Sequence, residues 1–204
     1  DLNKFISSIT KTDSGTGQMA DMTYNMSSLE KANKVTANIS SQSITDALVS
    51  VQDLQNGRLD PIDSPESSKI GIVHHRTILT KNDDDGNLLV PFIPVKDGEV
   101  VSDKPVYLTA VEEKDQYIAE WCETFKNGDG SKKQRVLARY CGNVLTVDTH
   151  LVTYKEYSPL ATMSPARSCI PFQNHSNGKR LLMSCNHHKQ AVPTFGACRA
   201  RVGT

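Results

Sequence analysis

Hydrophobic positions in this chain come in short runs, separated by polar turn residues. Runs of that length suit strands better than helices. Ile70 to Leu79, Leu88-Leu89-Val90, Phe92 to Val95, Val100-Val101 and Val106-Tyr107-Leu108 read as strands. Tyr117-Ile118-Ala119, Arg135 to Tyr140 and Val144 to Val147 continue the series, and Leu48 to Val51 is a shorter candidate. Turn signals lie between them: Asn56-Gly57, the acidic stretch Asn82 to Gly86, Asp97-Gly98, Asn127 to Gly130 and Cys141-Gly142-Asn143. Asp97-Gly98 predicts a hairpin. Pro61 and Pro65 hold Asp60 to Glu66 extended, because proline fixes its own φ and biases its predecessor away from helix.

Helical spacing occurs in two places. Between Met19 and Val35, Met22, Met26 and Leu29 fall at 0, +4 and +7. Lys179 to Gln190 is long enough for a helix, which Pro193 would stop. The pattern predicts an α+β fold, an irregular mixed β-sheet region flanked by short helices. It divides into residues 1–56, a β-rich 57–150 and a basic 151–204.

Composition adds a constraint. Of 204 residues, 37% are hydrophobic and 6% aromatic, low for one well-filled core, so an elongated piece of something larger is expected. Both ends look cut. No run approaches the ~18 apolar residues of a membrane span, so no membrane partner is expected. Charge is balanced overall but uneven along the chain. Residues 60–130 carry 7 basic and 15 acidic side chains, and residues 131–204 carry 11 basic and 2 acidic. The basic third could meet a polyanion, or the two thirds could neutralise each other across the fold.

Motif chemistry is sparse. Asp83-Asp84-Asp85 lacks the distal Glu of a calcium loop and reads as a solvated turn. Cys185, His187, His188 and Cys198 match no common zinc spacing, and the five cysteines read as reduced thiols. On a helix, Arg180, Met183 and His187 share one face, with Asn186 and Lys189 on its flanks. Arginine and asparagine placed so can meet phosphate and sugar groups, although an ordinary basic helix looks the same.

Two stretches carry more information. Asn56-Gly57-Arg58-Leu59-Asp60-Pro61-Ile62-Asp63-Ser64-Pro65-Glu66-Ser67-Ser68-Lys69-Ile70-Gly71 resembles a signature of the multisubunit RNA polymerase β subunit. In bacterial β that signature reads Gly-Arg, Pro-Ile-Glu-Thr-Pro-Glu-Gly, Asn-Ile-Gly. The run from Leu182 to Pro193 is similar to a second signature, which ends in Arg-Gln-Ala-Val-Pro. Val106 to Ala110 with Glu112-Glu113, and the terminal Val202-Gly203-Thr204, also resemble β.

The resemblance implies a part of that subunit, its fork and hybrid wall, with 1–56 as the rifamycin-pocket-like segment. It implies catalytic-centre roles for Arg180, Arg58 and Glu66. It implies contacts to substrate or nucleic acid for Gln18, Asp21, Lys31, Lys34, Lys69, Met183, Asn186, Lys189 and Gln190. Magnesium would belong to the β′-type subunit of the assembled enzyme, and this chain would bind none. Partners would be the rest of β, the β′-type subunit, DNA template, nascent RNA and NTP, in a bacterial or phage-infected cytoplasm. Ser67-Ser68-Lys69 replaces Gly-Pro-Asn, His187-His188 replaces Met-Gln, and Lys189 replaces Arg. These departures suggest a remote, phage-type or split β. A β-like module that binds nucleic acid or protein without a catalytic role is the alternative.

Overall fold

A computed structural model describes residues 25–36 and 46–191, except for the side chains of Ala47 and Leu48. The main sheet has eight strands: β3 (Lys81–Asn82), β4 (Leu88–Lys96), β5 (Glu99–Val100), β6 (Val106–Leu108), β7 (Ile118–Ala119), β8 (Arg135–Tyr140), β9 (Asn143–Asp148) and β10 (Tyr154–Glu156). Its order is β3-β4-β10-β7-β8-β9, and β5 and β6 also pair with β4. The β7–β10 pairing is parallel and the others are antiparallel, so the sheet is mixed. A separate pair joins β1 (Lys34–Thr36) to β2 (Val73–His75). The helices are α1 (Asn25–Asn33), α2 (Asp46–Val49), α3 (Ala110–Glu113), α4 (Pro165–Ser168) and α5 (Gly178–Lys189). This is the expected α+β class.

Two buried clusters hold the sheet. Val95, Ala119, Phe125, Val136, Ala138 and Val152 form one, and Val90, Phe92, Leu108 and Ile118 form the other. Strand alternation explains their composition: in β8, Val136 and Ala138 point inward while Arg135 and Leu137 are exposed. The Asp97-Gly98 turn forms as the sequence predicts. Both residues take positive φ, at 51° and 74°, which suits a tight hairpin turn. Cys141 and Gly142 turn β8 into β9 in the same way.

Several elements depart from the sequence pattern. Pro91 does not split the strand, because β4 runs unbroken from Leu88 to Lys96. Pro91 faces Tyr107 of β6 and Pro94 faces Tyr154 of β10, so the lost N–H donors fall on different short partners. Leu48 to Val51 is not a strand: Asp46 opens the short helix α2, and the Ser50 N–H closes it on the Asp46 carbonyl at 3.0 Å. Of Ile70 to Leu79, only Val73–His75 is strand. A turn around Gly71, with φ 75°, precedes it, and the Thr77 side chain leaves to bond the Gly57 carbonyl at 2.8 Å. In α1 the expected Met26–Leu29 stripe does not face the core, since Leu29 is 46% exposed while Ser27 and Glu30 are buried. Met22, Pro193 and Cys198 lie outside the described residues.

Charge neutralisation across the fold is observed. Glu113–Arg139, Asp60–Arg167, Asp63–Lys189, Glu99–Lys132 and Glu123–Lys133 each join the acidic middle to the basic C-terminal third.

The buried member of greatest reach is Arg58, 4% exposed. Its guanidinium meets Glu113 Oε2 at 2.5 Å and donates to the carbonyls of Leu54, Leu88 and Leu108 at 3.2, 3.0 and 3.2 Å. Arg139 reaches the other Glu113 oxygen at 2.8 Å. Gly57 permits this seat, because its φ is 76° and an added Cβ would lie 3.0 Å from Val90 Cγ1. Arg58→Ala leaves Glu113 buried against one partner. It is expected to cost about 3–5 kcal/mol, read as a lower urea midpoint.

Glu156 titrates oppositely to an ordinary paired carboxylate. Burial raises its pKa above the usual range, and Arg139 offsets part of this. A raised folded-state value makes its contribution full below the unfolded pKa and loses it as pH rises through the folded one. Stability should therefore fall as pH climbs above the ordinary carboxylate range, and Glu156→Gln should flatten that slope in denaturation series at stepped pH.

Candidate nucleotide and nucleic-acid interface

Helix α5 begins at an asparagine cap. Asn177 Oδ1 accepts the Arg180 N–H at 2.9 Å, and Gln190 closes the other end by bonding the carbonyls of Asn186 and His187. Leu181 and Cys185 face inward, four residues apart, and α5 packs on α1 and α4. Arg180 therefore lies exposed, with Nη1 3.6 Å from Met183 Sδ.

Beside that face runs a mainly apolar groove of about 520 Å³ lined by Pro61, Ile62, Ile70, Leu182 and Met183. Glu66 and Lys179 also line it, so two charges of opposite sign stand at its edge. The Asp60–Glu66 segment that forms one wall has no regular secondary structure, as the two prolines require.

On the other side of α5 a cavity of about 340 Å³ is lined by Lys31, Lys34, Lys69, Asn186 and Lys189, among others. Lys31, Lys34 and Lys69 are exposed and Asn186 is half-buried. Lys189 does not join the exposed lysines: its side chain is 17% exposed and its amine turns down onto Asp63.

Below lies a buried polar cluster that sequence reasoning missed. The Lys189 amine also stands 3.6 Å from Glu30 Oε2 and 3.4 Å from His75 Nδ1. Ser164 donates its hydroxyl to Asp63 Oδ2 at 2.7 Å and its N–H to Asp60 Oδ2 at 2.8 Å. Arg167 pairs with Asp60 Oδ1 at 3.1 Å. Burial pushes Glu30 up to about 7, and the neighbouring Asp63 adds to this. Burial likewise lowers His75, leaving a neutral imidazole. It lifts the Cys185 thiol to about 12, and His187 is exposed. Among the described residues, Glu30, Asp63 and His75 are the His, Cys, Asp or Glu side chains grouped closely enough to hold an ion. The signal for this cluster was present but mute. Asp63 sits inside the proline-rich signature, while Glu30 and His75 come from segments whose partners only the fold brings near.

The remaining candidates divide cleanly. Arg180, Met183 and Glu66 belong to the groove side, and Lys31, Lys34, Lys69 and Asn186 belong to the cavity. Gln190 is exposed at the end of α5. Arg58 reaches neither, since its donors end inside the fold. Gln18 and Asp21 lie outside the described residues.

Residues 92–158, the heart of the sheet, match the RNA polymerase beta subunit external 1 domain. The chain is 35% identical over 148 residues to the DNA-directed RNA polymerase subunit beta of Aquifex aeolicus, covering 72% of this chain and 10% of that one. This chain is homologous to a segment of RNA polymerase β. The β subunit of Phytoplasma australiense is 36% identical over 162 residues, covering 76% of the chain and 13% of the relative. That of Christiangramia forsetii is 34% identical over 149 residues, with 72% and 12% covered. The chain thus spans about a tenth of the length of these β subunits. All three relatives are bacterial, and they lend no support to a phage origin. Among the described residues no helix is long and apolar enough to cross a membrane.

The Lys189–Asp63 contact bridges positions 126 apart and ties the two β-signature stretches together. Lys189→Met strands two buried carboxylates and is expected to cost about 3–5 kcal/mol. Adding Glu30→Gln removes one of those charges and should restore part of the lost denaturation midpoint.

Proposed function

We propose that this β-subunit segment lines the active centre of a multisubunit DNA-directed RNA polymerase and faces the incoming NTP and the RNA–DNA hybrid. The observation that carries the reading is the junction of its two β-like signatures. Lys189 on α5 pairs with Asp63 of the proline-rich segment; Met183 and Glu66 line one groove, and Arg180 stands beside Met183.

Phosphoryl transfer leaves little covalent work for protein groups, and catalysis rests on positioning and on charge stabilisation. Arg180 supplies a planar, permanently charged donor set that fits triphosphate oxygens in pairs. Met183, beside it, offers a soft apolar surface to a base or sugar. Glu66, exposed across the groove, orients hydroxyl groups or a neighbouring basic side chain. Lys31, Lys34 and Lys69, with Asn186, would meet template or RNA phosphates from the second cavity. Binding by the assembled enzyme should therefore weaken with salt. Lys189 and Arg58 act as positioning residues: one holds α5, and the other holds the start of the proline-rich segment against the sheet.

Magnesium supplies the charge that activates the attacking hydroxyl and neutralises the leaving pyrophosphate. The ion is proposed to belong to the β′-type subunit, as the resemblance implies, with Glu66 at the edge of the groove beside Met183. The rest of β, the β′-type subunit, DNA template and nascent RNA are the proposed partners.

The test is transcription by the assembled polymerase carrying Arg180→Ala, with NTP concentration varied. The expected result is a rise of at least about tenfold in apparent NTP KM, or an equivalent loss of kcat, at normal assembly. Unchanged kinetics would make α5 structural and favour a β-like binding module without a catalytic role.

A further inference from the structure

Two buried carboxylates and a neutral imidazole converge at the floor of the lysine-rimmed cavity. One donor atom from each of Glu30, Asp63 and His75 lies within 4.8 Å of the other two. Each group has its second atom fixed by the surrounding chain. Glu30 Oε1 accepts the Ala166 N–H at 3.0 Å, and Asp63 Oδ2 accepts the Ser164 hydroxyl at 2.7 Å. His75 Nδ1 stands 3.1 Å from the Asp63 carbonyl, closer than the 3.4 Å to Lys189 Nζ. A carbonyl can only accept, so in the tautomer that makes this bond Nδ1 carries the proton and Nε2 keeps its lone pair. That nitrogen lies 3.4 Å from Glu30 Oε2, an oxygen with no hydrogen-bond donor although Glu30 is 3% exposed.

Metal-binding side chains are held in this way by hydrogen bonds to their outward atoms, although here the inward Asp63 oxygen is taken by the Lys189 ammonium. The Lys189 ammonium stands within reach of all three groups and acts as a tethered monovalent cation. Its single charge leaves the pair one positive charge short whenever Glu30 as well as Asp63 is ionised. The neighbouring Asp60 is balanced by Arg167, and Cys185 stays a neutral thiol. Lys34 is the other cation close enough to influence His75, and it is exposed at the rim.

We propose that Glu30, Asp63 and His75 form a binding site for a divalent first-row cation of the zinc class, reached through the cavity and entered by displacing the Lys189 ammonium. Two carboxylate oxygens and one imidazole nitrogen suit such an ion, and three protein ligands leave a position open to water. The displaced ammonium turns to the rim, where it adds a positive charge to Lys31, Lys34 and Lys69. Metal occupancy thereby releases the clamp on α5 and strengthens the phosphate-facing rim together.

The experiment is a Co²⁺ titration of the assembled polymerase after EDTA dialysis, read by visible d–d absorption. The same polymerase carrying His75→Gln serves as the subtraction, which removes signal from every other cobalt site. The site predicts a one-equivalent difference band in the wild type. In Lys189→Met it predicts binding tighter by about tenfold or more, because the competing charge is gone. A flat difference spectrum in both enzymes overturns the proposal. If Lys189→Met fails to assemble, its recovery by Co²⁺, absent from Lys189→Met/His75→Gln, supports the site. Failure of the metal to restore assembly counts against it.

Discussion

Lys189 meets the buried Asp63 and Glu30 carboxylates at the floor of a cavity, and the arrangement of α5 depends on that encounter. Two carboxylates buried side by side repel each other and lose their hydration. One ammonium answers much of that demand, and hydrogen bonds from Ser164 and Ala166 answer part of the rest. The lysine comes from the last turn of a helix and the aspartate from an irregular proline segment. Neither element could fix the other through apolar packing alone. The polar contact sets the register between them, and the groove with Arg180 follows from that register.

A second buried node does the same for the sheet. Arg58 and Arg139 share Glu113, which joins the proline segment to α3 and β8. Asp63 and Glu113, both from the middle of the chain, pair with bases from outside it. Part of the chain's charge asymmetry is therefore neutralised inside the fold. Lys31, Lys34, Lys69 and Arg180, all exposed, lie around α5 on the two sides where nucleotide and nucleic acid are proposed to bind.

Much of the sheet was legible in the sequence because its signals are local. Short hydrophobic runs pointed to β8 and β9, turn residues such as Asp97-Gly98 marked the hairpins, and the length of the run from Lys179 to Gln190 marked α5 within a residue of its ends. What was not legible depends on partners far along the chain. The β4 strand survives two prolines because each faces a different short neighbour. The Met26–Leu29 stripe was misleading because α1 buries Glu30 for its ionic partners and leaves Leu29 outside. Arg58, read as a catalytic-centre residue from its place in the signature, turns inward because Glu113, 55 positions away, meets it. Lys189 turns inward for the same kind of reason.

The central claim is that α5 and the proline-rich segment together form one wall of a nucleotide site, with Lys189 holding the wall and Arg180 serving the ligand. A cryo-electron microscopy structure of the assembled polymerase, paused with an incoming NTP, tests it most directly. The account predicts Arg180 on the triphosphate, Met183 and Glu66 bordering the nucleotide, and the Asp63 carboxylate turned away from it. A nucleotide and hybrid bound on a different surface, with α5 facing only protein, would contradict it.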